Sequence, residues 1–127
     1  MNSDNETRKS VGEYLKRIRL ENGLSVRKLG KETGMAPAYI SRIESGQYLF
    51  PAQYTHAFVK AMGLTGRELH EMYDVLALSR DNRYEDIDEY LTGNDRARNC
   101  IRQIMAQKDP DKVWDQILQL MNGCDRK

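Results

Sequence analysis

Residues 24–46 read LSVRKLGKETGMAPAYISRIESG, and this stretch decides the fold. Ser25 can cap a helix of about two turns, which Gly34 would end. Pro37 suits the first turn of a following short helix. A helix, a tight turn and a second helix are therefore predicted within one short span. The residues predicted to face inward are Val26, Leu29, Ile40 and Ile43.

Further helices are predicted on both sides of this stretch. Ser10 with Glu13 forms a capping-box pattern for a first helix, and apolar residues continue at helical spacing behind it. Pro51 can open a fourth helix, and Thr65 with Glu68 forms a second capping box for a fifth. The sequence thus predicts an all-α, five-helix module over residues 8–79.

Residues 80–127 are predicted to form a helical C-terminal extension. Residues 80–84 are polar and indicate a linker or a frayed helix end. A short acidic helix, a helix capped by Asn94 or Asp95, and a last helix opening at Pro110 and closing at Gly123 are expected to follow. The apolar stripe of this last helix consists of Val113, Trp114, Ile117, Leu118 and Met121.

The charge of the chain is concentrated in one segment. The whole chain has 127 residues and a formal net charge of +1, but residues 8–50 hold nine Lys/Arg against four Asp/Glu. Residues 51–127 hold eleven Lys/Arg against thirteen Asp/Glu. Such a basic segment suits a polyanion such as the DNA backbone, although a solvated helical face is the plainer alternative.

Composition and motifs argue against several other classes of protein. The polar start of the chain predicts no signal peptide, no apolar run reaches the length of a membrane span, and a cytoplasmic location is expected. No nucleophile–base arrangement or phosphate-binding loop is present, so no enzyme is predicted. His56, His70, Cys100 and Cys124 lack the spacing of a metal site, and neither a metal nor a cofactor is expected.

The spacings in residues 24–46 resemble the helix-turn-helix of the Cro/cI-like, or XRE, family of transcriptional regulators. The resemblance implies a lambda-repressor-like module and a structural pair between Arg19 and Glu44. Gly30 stands where the family usually has Ala, and Val26 stands where relatives commonly have a Gln that contacts DNA. The residues that carry the resemblance are Leu24, Ser25, Leu29, Gly30, Gly34, Met35, Ile40, Ser41, Ile43, Glu44, Gly46 and Pro51.

The third helix is the predicted recognition helix, placed in the major groove of DNA. Arg42 can present its planar guanidinium to a guanine, while Ala38 and Pro37 can pack on thymine methyl groups or sugars. Tyr39 can reach a phosphate or a sugar edge. The predicted backbone contacts are Lys16, Arg17, Arg27, Lys28 and Lys31, together with the backbone N–H of Gln47.

These features predict a sequence-specific transcriptional regulator, with repression as the expected effect. The predicted partner is double-stranded DNA with a palindromic operator, bound by a homodimer. Dimerisation is assigned to Trp114, Ile117, Leu118 and Met121, although this stripe could instead fold back on the fifth helix. A protein-interaction module, such as an antitoxin or an adaptor with secondary DNA binding, is the alternative from another class.

Overall fold

The computed structural model describes residues 2–125, with side chains described for residues 4–123. Every regular element in this part of the chain is a helix, which confirms the predicted all-α class. The chain divides into two compact units between Asp86 and Ile87, whereas the sequence predicted a boundary after residue 79. The helices are α1 (Asn2–Glu21), α2 (Val26–Thr33), α3 (Pro37–Glu44), α4 (Thr55–Met62), α5 (Gly66–Ala77), α6 (Glu85–Thr92), α7 (Asp95–Met105) and α8 (Pro110–Asp125).

The hydrophobic core of the first unit is built from the apolar faces of α1 to α5. Phe50 is fully buried in it and meets Phe58 edge to face, with ring centroids 4.8 Å apart. Each fully buried side chain of this size contributes about 1.5–3 kcal/mol through removal of apolar surface from water. The core therefore holds the buried face of α3 in place. The other fully buried side chains include Leu15, Leu29, Ile40, Ile43, Met72 and Leu76.

Helix α1 is longer than the sequence predicted. It begins at Asn2, so Ser10 lies inside the helix and the predicted capping box with Glu13 is wrong. The added turns contact a residue that is distant in sequence. Arg8 Nε donates a hydrogen bond to the Gly46 carbonyl at 3.2 Å. No apolar periodicity marks these turns, since their side chains are polar.

Two details of the fourth and fifth helices also differ from the prediction. A 3-10 turn at Ala52–Tyr54 follows Pro51, and α4 begins only at Thr55. The Thr65 side chain makes no capping hydrogen bond to α5, so the second predicted capping box is wrong. Gly66, the first residue of α5, has a left-handed conformation (φ +57°), so the helix does not begin with the backbone angles that a capping box requires.

The polar segment after α5 packs against the first unit and is not a free linker. The Arg80 guanidinium lies 5.7 Å from the centroid of the Phe50 ring. It also donates to the Phe50 carbonyl at 3.4 Å and pairs with Glu85. Burial lowers the pKa of Arg80 from its usual value. These contacts stabilise the loop that follows α3 as well as the segment itself.

The second unit contains two capped helices that pack on each other, α7 and α8. The Asn94 side chain accepts a hydrogen bond from the Ala97 N–H at 2.9 Å, as expected of an N-cap. Asp109 accepts one from the Lys112 N–H at 3.2 Å at the start of α8. Helix α8 continues through Gly123, which the sequence predicted as its end. No helix among the described residues is long and apolar enough to cross a membrane.

Candidate nucleic-acid interface

Helices α2 and α3 form a compact helix–turn–helix. The Ser25 side chain accepts a hydrogen bond from the Lys28 N–H at 3.0 Å and so caps α2. Gly34 ends α2 in the left-handed conformation (φ +81°), and its N–H donates to the Gly30 carbonyl at 2.8 Å. Pro37 then supplies the first residue of α3, where its missing N–H costs no helical hydrogen bond.

The close approach of the two helices explains the glycine in α2. A Cβ atom on Gly30 would lie 2.5 Å from the Met35 carbonyl oxygen and 3.3 Å from two side-chain carbons of Pro37. Even the alanine that the family resemblance leads one to expect would therefore collide with backbone. Gly12 likewise allows α1 to approach α3 closely, because a Cβ atom at this position would overlap the Ile43 carbonyl oxygen.

Helix α3 has one buried face and one solvent-exposed face. Ile40 and Ile43 are buried in the core at 1% and 2% exposure. The predicted base-reading residues all lie on the exposed side, which is accessible to a large ligand. The exposed residues of α3 are Pro37, Ala38, Tyr39, Ser41 and Arg42.

A buried ion pair holds α3 against α1. Arg19 Nε donates to Glu44 Oε2 at 2.7 Å, and Arg19 Nη2 donates to Glu44 Oε1 at 3.0 Å. The remaining nitrogen, Nη1, donates to the Leu24 carbonyl at 2.7 Å. Both charged side chains are only 7% exposed. The residues that the resemblance implies as a structural pair thus lie in bidentate contact, a geometry that fixes both distance and angle.

Arg42 lies in an aromatic cluster that the sequence analysis missed. Its Nη1 donates to the Tyr48 hydroxyl at 3.2 Å, and its guanidinium carbon lies 5.7 Å from the centroid of the Tyr48 ring. The Tyr39 ring lies beside Tyr48, with centroids 5.1 Å apart. Tyr48 follows the helix in a loop, so helical periodicity gave no signal for it. The turn at Gly46 (φ +85°) brings the loop back over α3.

Four of the predicted phosphate contacts remain available on the surface. Arg27, Lys28 and Lys31 are exposed on α2, and they line a shallow depression together with Ser25 and one acidic residue, Glu32. Lys16 lines a groove between α1 and α3 with Ser41 and Ser45. These cations lie on the elements next to the exposed face of α3.

Arg17 is placed differently from the other predicted backbone contacts. It forms ion pairs with Glu21 at 3.3 Å and Glu71 at 3.5 Å, and its guanidinium lies 5.4 Å from the Tyr14 ring centroid. On a helix Arg17 points about 100° away from Lys16, toward α5 and not α3. Two carboxylates therefore offset the charge of Arg17, on a face of α1 other than the one that carries Lys16. We exclude Arg17 from the candidate interface.

The backbone N–H of Gln47, a predicted phosphate contact, is already hydrogen-bonded within the protein. It donates to the Arg42 carbonyl at 2.9 Å, as part of the turn that ends α3. A phosphate could bind this N–H only if the turn opened. The exposed Gln47 side chain is the group that remains available for a contact.

The apolar stripe of α8 is largely exposed. Trp114 is 39% exposed, Leu118 54% and Met121 60%, while Val113 and Ile117 are half-buried. Among residues 4–123 no group of His, Cys, Asp and Glu side chains could hold a metal ion. Cys100 is a free, exposed thiol, and the Cys124 side chain lies outside the described residues.

Comparison with known proteins supports the assignment of this module. Residues 10–72 match the family model described as a helix-turn-helix domain. The matched range runs from within α1 to within α5 and includes the whole of α2 and α3. No significant match was found among curated proteins or among solved structures.

Proposed function

We propose that this chain, whose residues 10–72 carry a helix-turn-helix domain, is a sequence-specific DNA-binding regulator that inserts α3 into the major groove. The observation that carries the proposal is the presentation of Arg42 on the exposed face of a helix whose other face is locked to the core and to α1. A recognition helix must be rigid in this way, because base contacts require accurate positioning across the whole groove.

The basic residues beside α3 supply the sequence-independent part of binding. Lys16, Arg27, Lys28 and Lys31 contact phosphates and release condensed counterions from the DNA. They set the register of the domain on the duplex without reading its sequence. Arg17 is left out of this set because Glu21 and Glu71 offset its charge.

Base recognition rests on few side chains. Arg42 reads a guanine through O6 and N7, and Ala38 and Pro37 pack on thymine methyl groups or sugars. Tyr39 approaches the sugar–phosphate backbone of the DNA. Because direct polar readers are sparse, one module alone would discriminate weakly between sequences, and doubling the contact by dimerisation would restore useful specificity.

We assign dimerisation to the exposed stripe of α8. Its aromatic and aliphatic side chains are of the type that anchors interfaces once a partner covers them. A two-fold dimer would present two copies of α3 to a palindromic operator, about 34–36 Å apart or one further helical turn away. Repression then follows if such a site overlaps a promoter.

Selection of bound duplexes from random DNA, followed by binding measurements on variants, tests the proposed DNA recognition. Arg42→Ala should lower affinity for the selected site by about 1–3 kcal/mol and relax preference at one base pair. Lys28→Ala should weaken binding to all sequences alike. If Arg42→Ala weakens selected and random DNA equally, base reading by α3 is wrong.

Sedimentation of the full chain tests the dimer. The wild type should sediment as a dimer at micromolar concentration, and Leu118→Glu should sediment as a monomer because it introduces a charge into the apolar contact. Lys112→Glu, on the same helix but outside the stripe, is the matched control and should remain dimeric. A wild type that stays monomeric both free and on DNA would disprove the assignment.

The same exposed stripe favours the second candidate function, a module that binds another protein and contacts DNA secondarily. In that case the full chain would be monomeric and show little affinity for random duplexes. High affinity for random duplexes that falls steeply with salt favours the regulator, because a module that mainly binds protein makes few phosphate contacts and releases few counterions from DNA.

A further inference from the structure

We propose that Tyr48 is a specificity-determining positioning residue, which orients the Arg42 guanidinium so that one defined edge faces the guanine. The inference rests on the proposed function, because it concerns the side chain that reads the base. It adds a residue from outside the recognition helix to the recognition surface.

The hydrogen-bond pattern of Arg42 defines which edge is available. Nη1 is engaged by the Tyr48 hydroxyl at 3.2 Å. The Nε–H and one Nη2–H lie in the guanidinium plane and point in a common direction, along an edge that does not include Nη1. These two donors match the spacing of O6 and N7 on the major-groove edge of guanine.

The same protein contains a second arginine arranged in this way. At Arg19, Nη1 donates to a fixed oxygen, the Leu24 carbonyl, while Nε and Nη2 bind the two oxygens of Glu44. The anchor on Nη1 leaves the Nε–Nη2 edge for bidentate binding. At Arg42 the Tyr48 hydroxyl takes the place of the carbonyl anchor, and the Arg42 side chain lies on the exposed face of α3.

Tyr48 is itself held in place by the loop that carries it. Its backbone N–H donates to the Arg42 carbonyl at 3.3 Å, and its ring packs against Tyr39. Two residues further on, Phe50 is buried in the core at 1% exposure. The Gly46 carbonyl accepts the hydrogen bond from Arg8. A loop fixed at both ends can restrict the rotamers of a long arginine side chain and reduce the entropy lost on binding.

A cation–π contact between Arg42 and Tyr48 further restricts the Arg42 side chain. The Arg42 guanidinium carbon lies 5.7 Å from the Tyr48 ring centroid, within the range of a cation–π contact. A Phe at position 48 would keep this contact and lose only the hydrogen bond. The two contributions are therefore separable by substitution.

The test compares the wild type, Tyr48→Phe and Tyr48→Ala on four versions of the selected DNA site. The versions differ only at the base pair where Arg42→Ala loses preference. Tyr48→Phe should reduce the preference for guanine at that position by about threefold to tenfold, the usual effect of one hydrogen bond, and Tyr48→Ala should reduce it further. Affinity for random DNA and thermal stability should change little with Tyr48→Phe, because its ring remains in place.

Tyr90→Phe is the matched control. It also removes an exposed tyrosine hydroxyl, but Tyr90 lies in α6 and belongs to the second unit, outside the candidate interface, so base preference should persist. An unchanged or increased guanine preference in Tyr48→Phe overturns the inference while leaving the proposed function intact. A wild type without any preferred DNA site overturns the proposed function itself, and the inference with it.

Discussion

Replacement of Glu44 by Ala is expected to be among the most damaging single changes to the helix-turn-helix domain. The carboxylate accepts two hydrogen bonds from Arg19, at 2.7 and 3.0 Å, and both side chains are only 7% exposed. In Glu44→Ala the guanidinium keeps only its bond to the Leu24 carbonyl. A charge stranded in this way costs about 3–5 kcal/mol.

This loss can be measured by urea unfolding followed by far-UV circular dichroism. With a slope of about 1.5–2 kcal/mol per molar urea, the unfolding midpoint should fall by about 2 M.

Glu21→Ala is the matched control. Glu21 also pairs with an arginine of α1, Arg17 at 3.3 Å, but its side chain is 53% exposed. Such a pair contributes about 0–1 kcal/mol. The double variant Arg19→Met with Glu44→Leu should lose less stability than Glu44→Ala, because no charge is left without a partner. If Glu44→Ala unfolds within about 1 kcal/mol of the wild type, the reasoning from burial is refuted.

Two further predictions test the packing and the electrostatics of the first unit. Gly30→Ala should destabilise by about 1–3 kcal/mol through overpacking against the Met35 carbonyl. Gly123→Ala, in α8 with open space around it, should instead gain up to about 1 kcal/mol of helix propensity; equal effects of the two in urea unfolding would contradict the predicted clash. Burial and the nearby Glu71 raise the pKa of Tyr14 from 10.0 to about 12, so the unfolded chain ionises first and stability is lost as the pH rises between these values. Tyr14→Phe should lose stability less steeply over this alkaline range, and a pH profile parallel to the wild type would count against the shift.

Local signals predicted the helix-turn-helix well. Ser25, Gly34 and Pro37 act within one or two turns of their own position, and the caps and turns they form depend on neighbouring backbone alone. Asn94, one of the two residues predicted to cap α7, forms its cap through the same kind of local contact. These features need no knowledge of tertiary structure.

The missed features depend on contacts between distant residues. Arg8 bonds to the Gly46 carbonyl, 38 positions away, and its polar helical turns have no apolar periodicity that could be detected. Arg17 resembles any other basic residue until Glu71, 54 positions away, is placed beside it. Tyr48 reaches Arg42 only because the loop turns back at Gly46. Sequence patterns therefore identified the elements, whereas the electrostatic environment of each cation required the fold.

The affinity of the full chain for a mixed-sequence DNA duplex, measured by fluorescence anisotropy at several salt concentrations, tests the central claim most directly. If Lys16, Arg27, Lys28 and Lys31 each contact a phosphate, the logarithm of the binding constant should fall against the logarithm of salt with a slope of about −3 to −4 per bound module. Charge reversal of Lys28 and Lys31 to Glu should make the slope shallower and weaken binding, whereas Arg17→Glu on the other face should affect both much less. Absence of binding at low salt, or an affinity independent of salt, would contradict the account.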